Sequence, residues 1–314
     1  MLGRISEPFF GRREVWDRHS ARLREMLPLQ GALEMIERRW PSVATGDPEQ
    51  PIFVFSAGWR SGSTLVQRLL LSGGDVLIWG EPYTLADYIG QLADSLRAFS
   101  AAYPPEEFFL RFHEGAEVVA IKEQWIAHLY PDPADLKRAH RAFLLTLLAD
   151  PAHARGYSRW GFKDCKYGIE HAYYLKWLFP KAKFLFVYRN PLNAWRSFRL
   201  FGAYRRWPHG RVFTARSYGE LWRSLMEGYL AHHAAVDGIM VKYEDLVTRE
   251  IVSREVAEFA GVQCDFNVLK DSITGRGKRG LEVVPPIEMR SLARAVQPLA
   301  SRLGYVMSEE ARQS

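Results

Sequence analysis

The sequence predicts an α/β fold in three α/β/α layers, with a central parallel sheet and helical insertions. Short apolar runs alternate along the chain with helix-like segments, which is typical of a parallel sheet that has helices on both faces. The run at residues 184–188 is too continuous for a sheet with one wet face and fits a buried parallel strand. The predicted strands are residues 52–55, 76–79, 160–163, 184–188 and 239–243.

The chain of 314 residues is long enough for one large α/β domain with a sizeable core. We divide it into an N-terminal helical segment, residues 1–50, and an α/β domain, residues 51–314. The N-terminal segment is helix-like and amphipathic over residues 8–40. The α/β domain carries a mainly helical insert around residues 83–150, in which residues 117–122 form a possible short strand.

Composition and charge narrow the class of protein. Hydrophobic residues make up 47% of the chain and charged residues 25%, as in globular soluble proteins. The net charge of +6 favours anionic ligands, although a basic solvated surface explains it equally well. Cys165 and Cys264 form neither a disulfide framework nor a metal-spacing motif, so we expect a reducing compartment. With no signal-like or membrane-spanning apolar stretch, the expected location is the cytoplasm.

Residues 51–64 read as a buried strand, a glycine-bearing turn and the start of a helix. This arrangement is P-loop-like, because the N–H groups of the turn and the positive end of the helix dipole converge on one anion. In an ATP or GTP P-loop, four residues separate the two glycines, and lysine follows the second glycine. Here Gly58 and Gly62 enclose three residues, Ser63 replaces the lysine, and Arg60 lies inside the loop. The loop is therefore predicted to hold an anion without catalysing phosphoryl transfer.

A second apolar strand ends in a cation, where a magnesium site would need an acidic residue. Arg189 follows the strand at 184–188, Asn190 is suited to cap a helix, and Pro191 suits the first helical position. Ser197 falls about two turns along that helix. Arg189 is therefore predicted to bind an anion directly.

Together these two segments resemble the sulfotransferase family, whose members use 3′-phosphoadenosine 5′-phosphosulfate as the sulfuryl donor. Two further stretches support the resemblance: residues 80–82, Gly-Glu-Pro, and residues 242–246, Lys-Tyr-Glu-Asp-Leu. Residues 160–164, Trp-Gly-Phe-Lys-Asp, are similar to the Lys-Asp strand of the tyrosylprotein branch, although Cys165 replaces the proline that commonly follows it. The motif pattern is closest to the carbohydrate and tyrosylprotein branches.

The resemblance implies a role for each matching residue. The 3′-phosphate of the donor would be bound by Arg189 and Ser197, and its adenosine end by Tyr243. Glu81 would be the general base, and Lys163 would bridge the leaving phosphate. No metal would be bound. The 5′-phosphosulfate, together with the charge that develops on the sulfuryl group, would be held by Arg60, Ser61, Gly62, Ser63 and Thr64.

Each role has an alternative that the sequence leaves open. If Glu81 is not the base, the alternatives are the insert histidines His113 and His128. The basic loop at residues 273–280 could close over the donor before a last amphipathic helix at 287–303. The remaining alternatives are a solvated Arg60, a helix-capping Thr64, an Arg189 paired with Asp164 or Glu244, a Glu81 paired with an arginine, a structural Lys163 and a core Tyr243.

The expected function is transfer of the sulfuryl group to an acceptor hydroxyl by metal-independent in-line displacement. A sulfuryl group carries less charge than a γ-phosphoryl group, so positioned cations and N–H groups can replace magnesium. The acceptor stays open among carbohydrates, lipids, natural products and peptide tyrosines; no nucleic acid partner is expected, and the oligomeric state is open. The rival functions are a nucleotide kinase or other NTPase on the same plan and a non-catalytic nucleotide-binding protein.

Overall fold

The computed structural model describes residues 28–41, 49–113, 128–199, 206–207, 210–270 and 284–307. The chain separates into two compact units, one of Met1–Asp47 with Ala86–Leu145 and the other of Pro48–Leu85 with Thr146–Ser314. The predicted N-terminal segment therefore falls in the same unit as most of the predicted insert. The possible strand at 117–122 and the basic loop at 273–280 lie outside the described residues.

A parallel sheet forms the centre of the second unit. Its strands lie in the order β2-β3-β1-β4-β7, while β5 and β6 pair antiparallel in a separate two-residue ladder. All five predicted strands are confirmed, with each end within one residue of its predicted position. The strands are β1 (Ile52–Ser56), β2 (Val76–Trp79), β3 (Arg159–Asp164), β4 (Lys183–Tyr188), β5 (Arg206–Trp207), β6 (Gly210–Arg211) and β7 (Gly238–Lys242).

Helices connect the strands, and those of the described residues are α1 (Leu29–Arg39), α2 (Ser63–Leu71), α3 (Tyr88–Ser95), α4 (Pro133–Leu144), α5 (Asp150–His153), α6 (Ile169–Leu178), α7 (Pro191–Arg199), α8 (Ala215–His232), α9 (Tyr243–Thr248), α10 (Glu250–Ala260), α11 (Pro286–Val296) and α12 (Leu299–Arg302). The predicted last helix is two helices, since Pro298 lacks the N–H that would continue the ladder of α11. Of the predicted helix at 8–40, α1 is the described part.

The two faces of the sheet are buried by different kinds of side chain. Ile52 and Val54 of β1 join an aliphatic cluster with α2 and α10. Phe53 and Phe55 lie on the opposite face, where both rings pack against Phe184, and a tyrosine of α8 packs against β4. Every residue of β1 is buried, which explains its continuous apolar sequence. The three-layer α/β/α architecture is thus confirmed.

The strand order places a topological switch point between β1 and β4, at the carboxyl edge of the sheet. Strands β1 and β4 are neighbours, with Ser56 beside Val187. The chain leaves β1 towards β2 on one side of the sheet and leaves β4 towards β7 on the other. At such a topological switch point the loops after the two strands diverge and leave space for a ligand. Both predicted anion-binding segments begin at this point.

In the first unit, the residues after α1 are tied to the insert. The Trp40 ring packs edge-on against Phe99 and Phe109, with ring centres 5.8 and 5.4 Å away. Its Nε1 donates to Glu106 Oε1 over 2.8 Å, and Arg39 donates to two backbone carbonyls of the insert. These contacts account for the grouping of the N-terminal helix with the insert.

Candidate active site

The loop after β1 alternates left-handed and ordinary backbone conformations. Gly58, Arg60 and Gly62 have φ angles of 81°, 68° and 102°. An alternation of this kind turns successive N–H groups towards the inside of the loop, which is the geometry of an anion-binding nest. The α2 helix begins directly afterwards at Ser63, so its unpaired first N–H groups and dipole add to the same site.

Tyr243, the first residue of α9, lies against this loop. A Cβ atom added to Gly62 would be 2.3 Å from Tyr243 Cδ2, closer than real Cβ contacts allow. Glycine is therefore required at this position for two reasons, the positive φ and the close approach of the Tyr243 ring.

We expect the substitution Gly62→Ala to cost more stability than positive φ alone explains. An alanine at positive φ costs about 1–2 kcal/mol, and the clash with Tyr243 adds about 1–3 kcal/mol. The control is Gly74→Ala, because Gly74 has a φ of 82° and nothing lies within 4 Å of an added Cβ. Urea unfolding of both variants isolates the clash. Equal losses in the two variants would contradict the contact.

The structure brings four of the predicted donor-binding residues together. Arg60 Nε donates to Ser197 Oγ over 2.9 Å, although the two residues are 137 positions apart. Arg189 Nη1 donates to the Arg60 carbonyl over 3.3 Å, and its guanidinium lies 4.3 Å from the centre of the Tyr243 ring. Arg189 Nε is buried and has no hydrogen-bond partner among the described residues. We name Arg60, Arg189, Ser197 and Tyr243 the arginine cluster.

The two carboxylates considered as partners of Arg189 are engaged elsewhere. Asp164 Oδ1 accepts from the Lys166 backbone N–H over 2.8 Å. Glu244 accepts from the Asn190 backbone N–H over 2.9 Å and from the Tyr305 hydroxyl over 3.0 Å. The described ion pairs include none between Arg189 and a carboxylate. The alternative of a structural ion pair for Arg189 is therefore not supported.

The helix that carries Ser197 begins as the sequence predicts. Asn190 Oδ1 accepts from the backbone N–H of Leu192 over 2.9 Å, and Pro191 is the first residue of α7. Capping fixes the start of the helix, and therefore the height at which Ser197 faces Arg60.

A second group of polar side chains lies where β2 and β3 end. Lys163 Nζ donates to Glu81 Oε1 over 2.6 Å, and both side chains are largely buried, with 12% and 23% exposed. Cys165 Sγ is 3.4 Å from the same Oε1, and Ser63 Oγ is 3.4 Å from the sulfur. We name Glu81, Lys163 and Cys165 the acid–lysine–thiol group. Ser63 directly follows the nest as the first residue of α2. One continuous segment therefore contacts this group through Ser63 and contributes Arg60 to the arginine cluster.

Burial and charge set the protonation states of this group. Burial raises the pKa of the Cys165 thiol to about 11, and Glu81 and Asp164 add to the rise while Lys163 opposes it. Burial acts to lower the pKa of the Lys163 ammonium, but its electrostatic interactions with Cys165 and Glu81 and its hydrogen bond to Glu81 outweigh burial and raise the pKa above its ordinary value. At neutral pH the lysine is therefore charged and the thiol keeps its proton.

Backbone contacts brace the segment that follows Glu81. Lys166 Nζ donates to the Thr84 carbonyl over 3.0 Å, and Lys166 is almost completely buried. The Lys166 carbonyl in turn accepts from Trp207 Nε1 over 2.9 Å. These bonds link the Glu81 segment, the end of β3 and the β5–β6 ladder.

The other predicted site residues lie in the same loop but use their side chains differently. Ser61 Oγ donates to the Ala57 carbonyl over 2.8 Å and is fully buried, so it shapes the loop from within. Thr64 is exposed in the first turn of α2, whose N-cap is Gly62, so the capping alternative for Thr64 is wrong.

The alternative of a Glu81–arginine pair is also wrong, since the ion-pair partner of Glu81 is Lys163.

Sequence reasoning missed two supports of the site. The first is Tyr218 of α8, whose hydroxyl donates to the Trp59 carbonyl over 2.6 Å and so anchors the loop to this helix. No local pattern marks Tyr218, because the contact joins residues 159 positions apart. The second is Cys165, whose contact with Glu81 no sequence motif predicts. Of the alternative bases, His128 stacks on Phe108 in the first unit, and the His113 side chain lies outside the described atoms.

The described part of the chain has neither a metal-binding cluster nor a helix that could span a membrane. No group of three or more His, Cys, Asp or Glu residues there is arranged to hold a metal ion. No helix in the same ranges combines the length and apolar character needed to cross a bilayer.

Comparison with known proteins identifies the family. The profile of the sulfotransferase family matches residues 51–265, which span β1 to β7 and both groups of site residues. The chain therefore belongs to the sulfotransferase family and is an enzyme of the transferase class. No curated protein matches the sequence.

Solved structures give distant likenesses. The chain is similar to the sulfotransferase domain from the curacin biosynthetic pathway, with 17% identity and a TM-score of 0.44 over 84% of this chain and 100% of that one. It is similar to sulfotransferase STF1 from Mycobacterium tuberculosis H37Rv, with 13% identity and a TM-score of 0.38 over 84% and 81% of the two chains. It is also similar to sulfotransferase STF9 from Mycobacterium avium, with 14% identity and a TM-score of 0.37 over 88% and 82%.

Proposed function

We propose that this enzyme transfers the sulfuryl group of 3′-phosphoadenosine 5′-phosphosulfate to an acceptor hydroxyl by metal-independent in-line displacement. One observation carries the proposal: a single loop contributes Arg60 to the arginine cluster and Ser63 to the contact with Cys165 in the acid–lysine–thiol group. The residues proposed for anion binding and the carboxylate proposed as base thus both lie close to the same nest. Such an arrangement suits a reaction in which an anionic group passes to an attacking hydroxyl.

The donor fits the residues that surround the nest. The buried Arg189 Nε, which lacks a partner among the described residues, is the strongest support for a bound anion. Arg189 and Ser197 would hold the 3′-phosphate, and Tyr243 would contact the adenosine end. The nest N–H groups would hold the 5′-phosphosulfate with Arg60, together with Ser61, Gly62, Ser63 and Thr64.

The acid–lysine–thiol group supplies the chemistry. The bound donor supplies an activated sulfuryl group; Glu81 accepts the proton of the acceptor hydroxyl, and Lys163 stabilises the charge left on the departing phosphate. The cations Arg60 and Lys163 provide the positive charge that magnesium provides in phosphoryl transfer. No step requires a P-loop lysine, which this loop does not have.

The acceptor is a hydroxyl-bearing carbohydrate, lipid, natural product or peptide tyrosine. The free thiols of Cys165 and Cys264 support a cytoplasmic location, because thiols persist in reducing compartments. A screen of metabolite extracts with the donor, followed by mass spectrometry for sulfated products, identifies the acceptor. If the donor binds and no acceptor in a broad screen is sulfated, the non-catalytic alternative is preferred.

Donor selectivity tests the arginine cluster. We expect 3′-phosphoadenosine 5′-phosphate to raise the melting temperature, while 5′-AMP and ATP with magnesium do not. Removal of charge-assisted hydrogen bonds in Arg189→Ala should cost about 1.5–3 kcal/mol of bisphosphate binding in calorimetry. The matched control is Arg216→Ala, since Arg216 is 75% exposed on α8 and outside the site. Binding of ATP with magnesium as tight as that of the bisphosphate would favour the kinase alternative.

A further inference from the structure

Cys165 occupies an unusual position for a thiol that has no nucleophilic role. The residue is 4% exposed and directly follows β3, among polar groups. The sulfur is 3.4 Å from Glu81 Oε1, 3.9 Å from Lys163 Nζ and 3.4 Å from Ser63 Oγ. These three neighbours include the proposed base and the lysine proposed for the leaving phosphate.

The lysine and the thiol approach the same oxygen of the carboxylate. Lys163 Nζ lies 2.6 Å from Glu81 Oε1, and the Cys165 sulfur lies 3.4 Å from it. Among the described residues, Oε2 accepts no hydrogen bond. A carboxylate held through one oxygen presents the other in a fixed direction, which is what a base needs to reach a proton.

The surroundings of the sulfur make the Cys165 thiol a hydrogen-bond donor. Lys163, Glu81 and Asp164 face it, and burial dominates, so the pKa of the thiol rises to about 11. The thiol therefore carries its proton at neutral pH. Since the S–H is directed at the carboxylate, Ser63 Oγ is the donor in its contact with the sulfur.

We propose that Cys165 is a positioning residue for Glu81: with Lys163 it holds Oε1, so that Oε2 faces the acceptor hydroxyl. The inference rests on the proposed function. During transfer, the acceptor oxygen bonds to the sulfuryl sulfur as its proton passes to Oε2. The bond from sulfur to the bridging phosphate oxygen breaks, and its electron pair stays on the phosphate. As Lys163 stabilises that new charge, the thiol keeps its proton and remains the donor that fixes Oε1.

Three variants test the kinetic role. We expect Cys165→Ala to slow single-turnover transfer about three- to tenfold, the effect of one weak hydrogen bond to a charged group, without changing the affinity for 3′-phosphoadenosine 5′-phosphate. Cys165→Ser keeps a donor and should restore most of the rate. Cys264→Ala, at a half-buried thiol away from Glu81, is the control and should match wild type.

The pH profile separates positioning from packing. A donor to a carboxylate favours its charged form, so loss of the donor in Cys165→Ala should move the acidic limb of the rate profile to higher pH. Packing loss alone lowers stability and leaves that limb in place. The proposal would be overturned if Cys165→Ala kept both the wild-type rate and the wild-type acidic limb of the rate profile. It would also be overturned if Cys165→Ser were as slow as Cys165→Ala.

The S–H bond itself can be observed without any activity. In Cys264→Ala protein, the infrared S–H stretch of Cys165 should lie at the low frequency of a thiol bonded to a carboxylate. Adding Glu81→Gln should move the band upward, since an amide oxygen is a weaker acceptor. A band that does not respond to Glu81→Gln overturns the inference even if transfer is normal. A responsive band in an enzyme that transfers no sulfuryl group overturns the proposed function and the kinetic role, but not the contact.

Discussion

Replacement of Glu81 by glutamine is expected to slow the sulfuryl-transfer step by about a hundred- to ten-thousandfold, the contribution of a general base. Glutamine keeps the shape of the side chain, and its amide oxygen still accepts from Lys163. It cannot take the acceptor proton, so donor affinity should be unchanged. The measurement is single-turnover transfer to the identified acceptor, beside a donor titration on the same sample.

A second carboxylate gives the matched control for this experiment. Glu220 pairs with Arg216 over 2.8 Å on the exposed side of α8, so Glu220→Gln also removes one ion pair. That variant should transfer at the wild-type rate. If Glu81 is only the partner of Lys163, Glu81→Gln should instead lower stability and donor affinity together with little change in the chemical step. Near-normal turnover would remove Glu81 as the base and direct attention to His113 or His128.

Loss of the Arg60 side chain is expected to lower turnover by on the order of a hundredfold or more, because it removes a donor aimed at charge that develops in transfer. The fold should survive, since Arg60 is exposed and alanine tolerates a φ of 68° no worse than arginine does. Loss of the bond to Ser197 should weaken donor binding as well. Turnover and calorimetric titration of Arg60→Ala measure the two effects.

Ser197→Ala separates the two contributions of Arg60. It removes the bond that holds the guanidinium and the proposed contact of Ser197 with the 3′-phosphate, but it leaves the Arg60 charge in the loop. Donor binding should therefore weaken, while turnover at saturating donor should fall less than in Arg60→Ala. Melting temperatures of both variants should stay near wild type. A fully active Arg60→Ala enzyme would return this arginine to the role of a solvated surface side chain.

Local chemistry explains why so much of the fold could be predicted. A buried parallel strand must be apolar on both faces, so β1 and β4 are visible as continuous runs. Helix starts are equally local, since Asn190 and Pro191, which directly follow Arg189, mark the beginning of α7. The left-handed glycines of the nest likewise follow from residue type. These features need no knowledge of the rest of the molecule.

The remaining features depend on which strands are neighbours. Arg60 meets Ser197 only because β4 lies beside β1, and a strand order cannot be read from apolar runs. The contacts of Cys165 with Glu81 depend in the same way on β3 lying next to β2. Sequence motifs predict Arg60, Ser197 and Glu81 in the site through the family resemblance, but not Cys165, and the catalytic roles remain predictions. Tyr218 had no motif and was missed.

The two faces of the sheet carry different side chains, aliphatic on one and aromatic on the other, and this difference fixes the register of β1 against β4. If β1 slid by one residue against β4, Phe53 and Phe55 would enter the aliphatic layer, and Ile52 and Val54 would leave gaps among the rings. That slip of about 3.3 Å would move the whole nest along the strand axis. Arg60 would then lie beyond the reach of a hydrogen bond to Ser197. Differences in side-chain volume deep in the core therefore set the alignment of the two loops that carry Arg60 and Ser197.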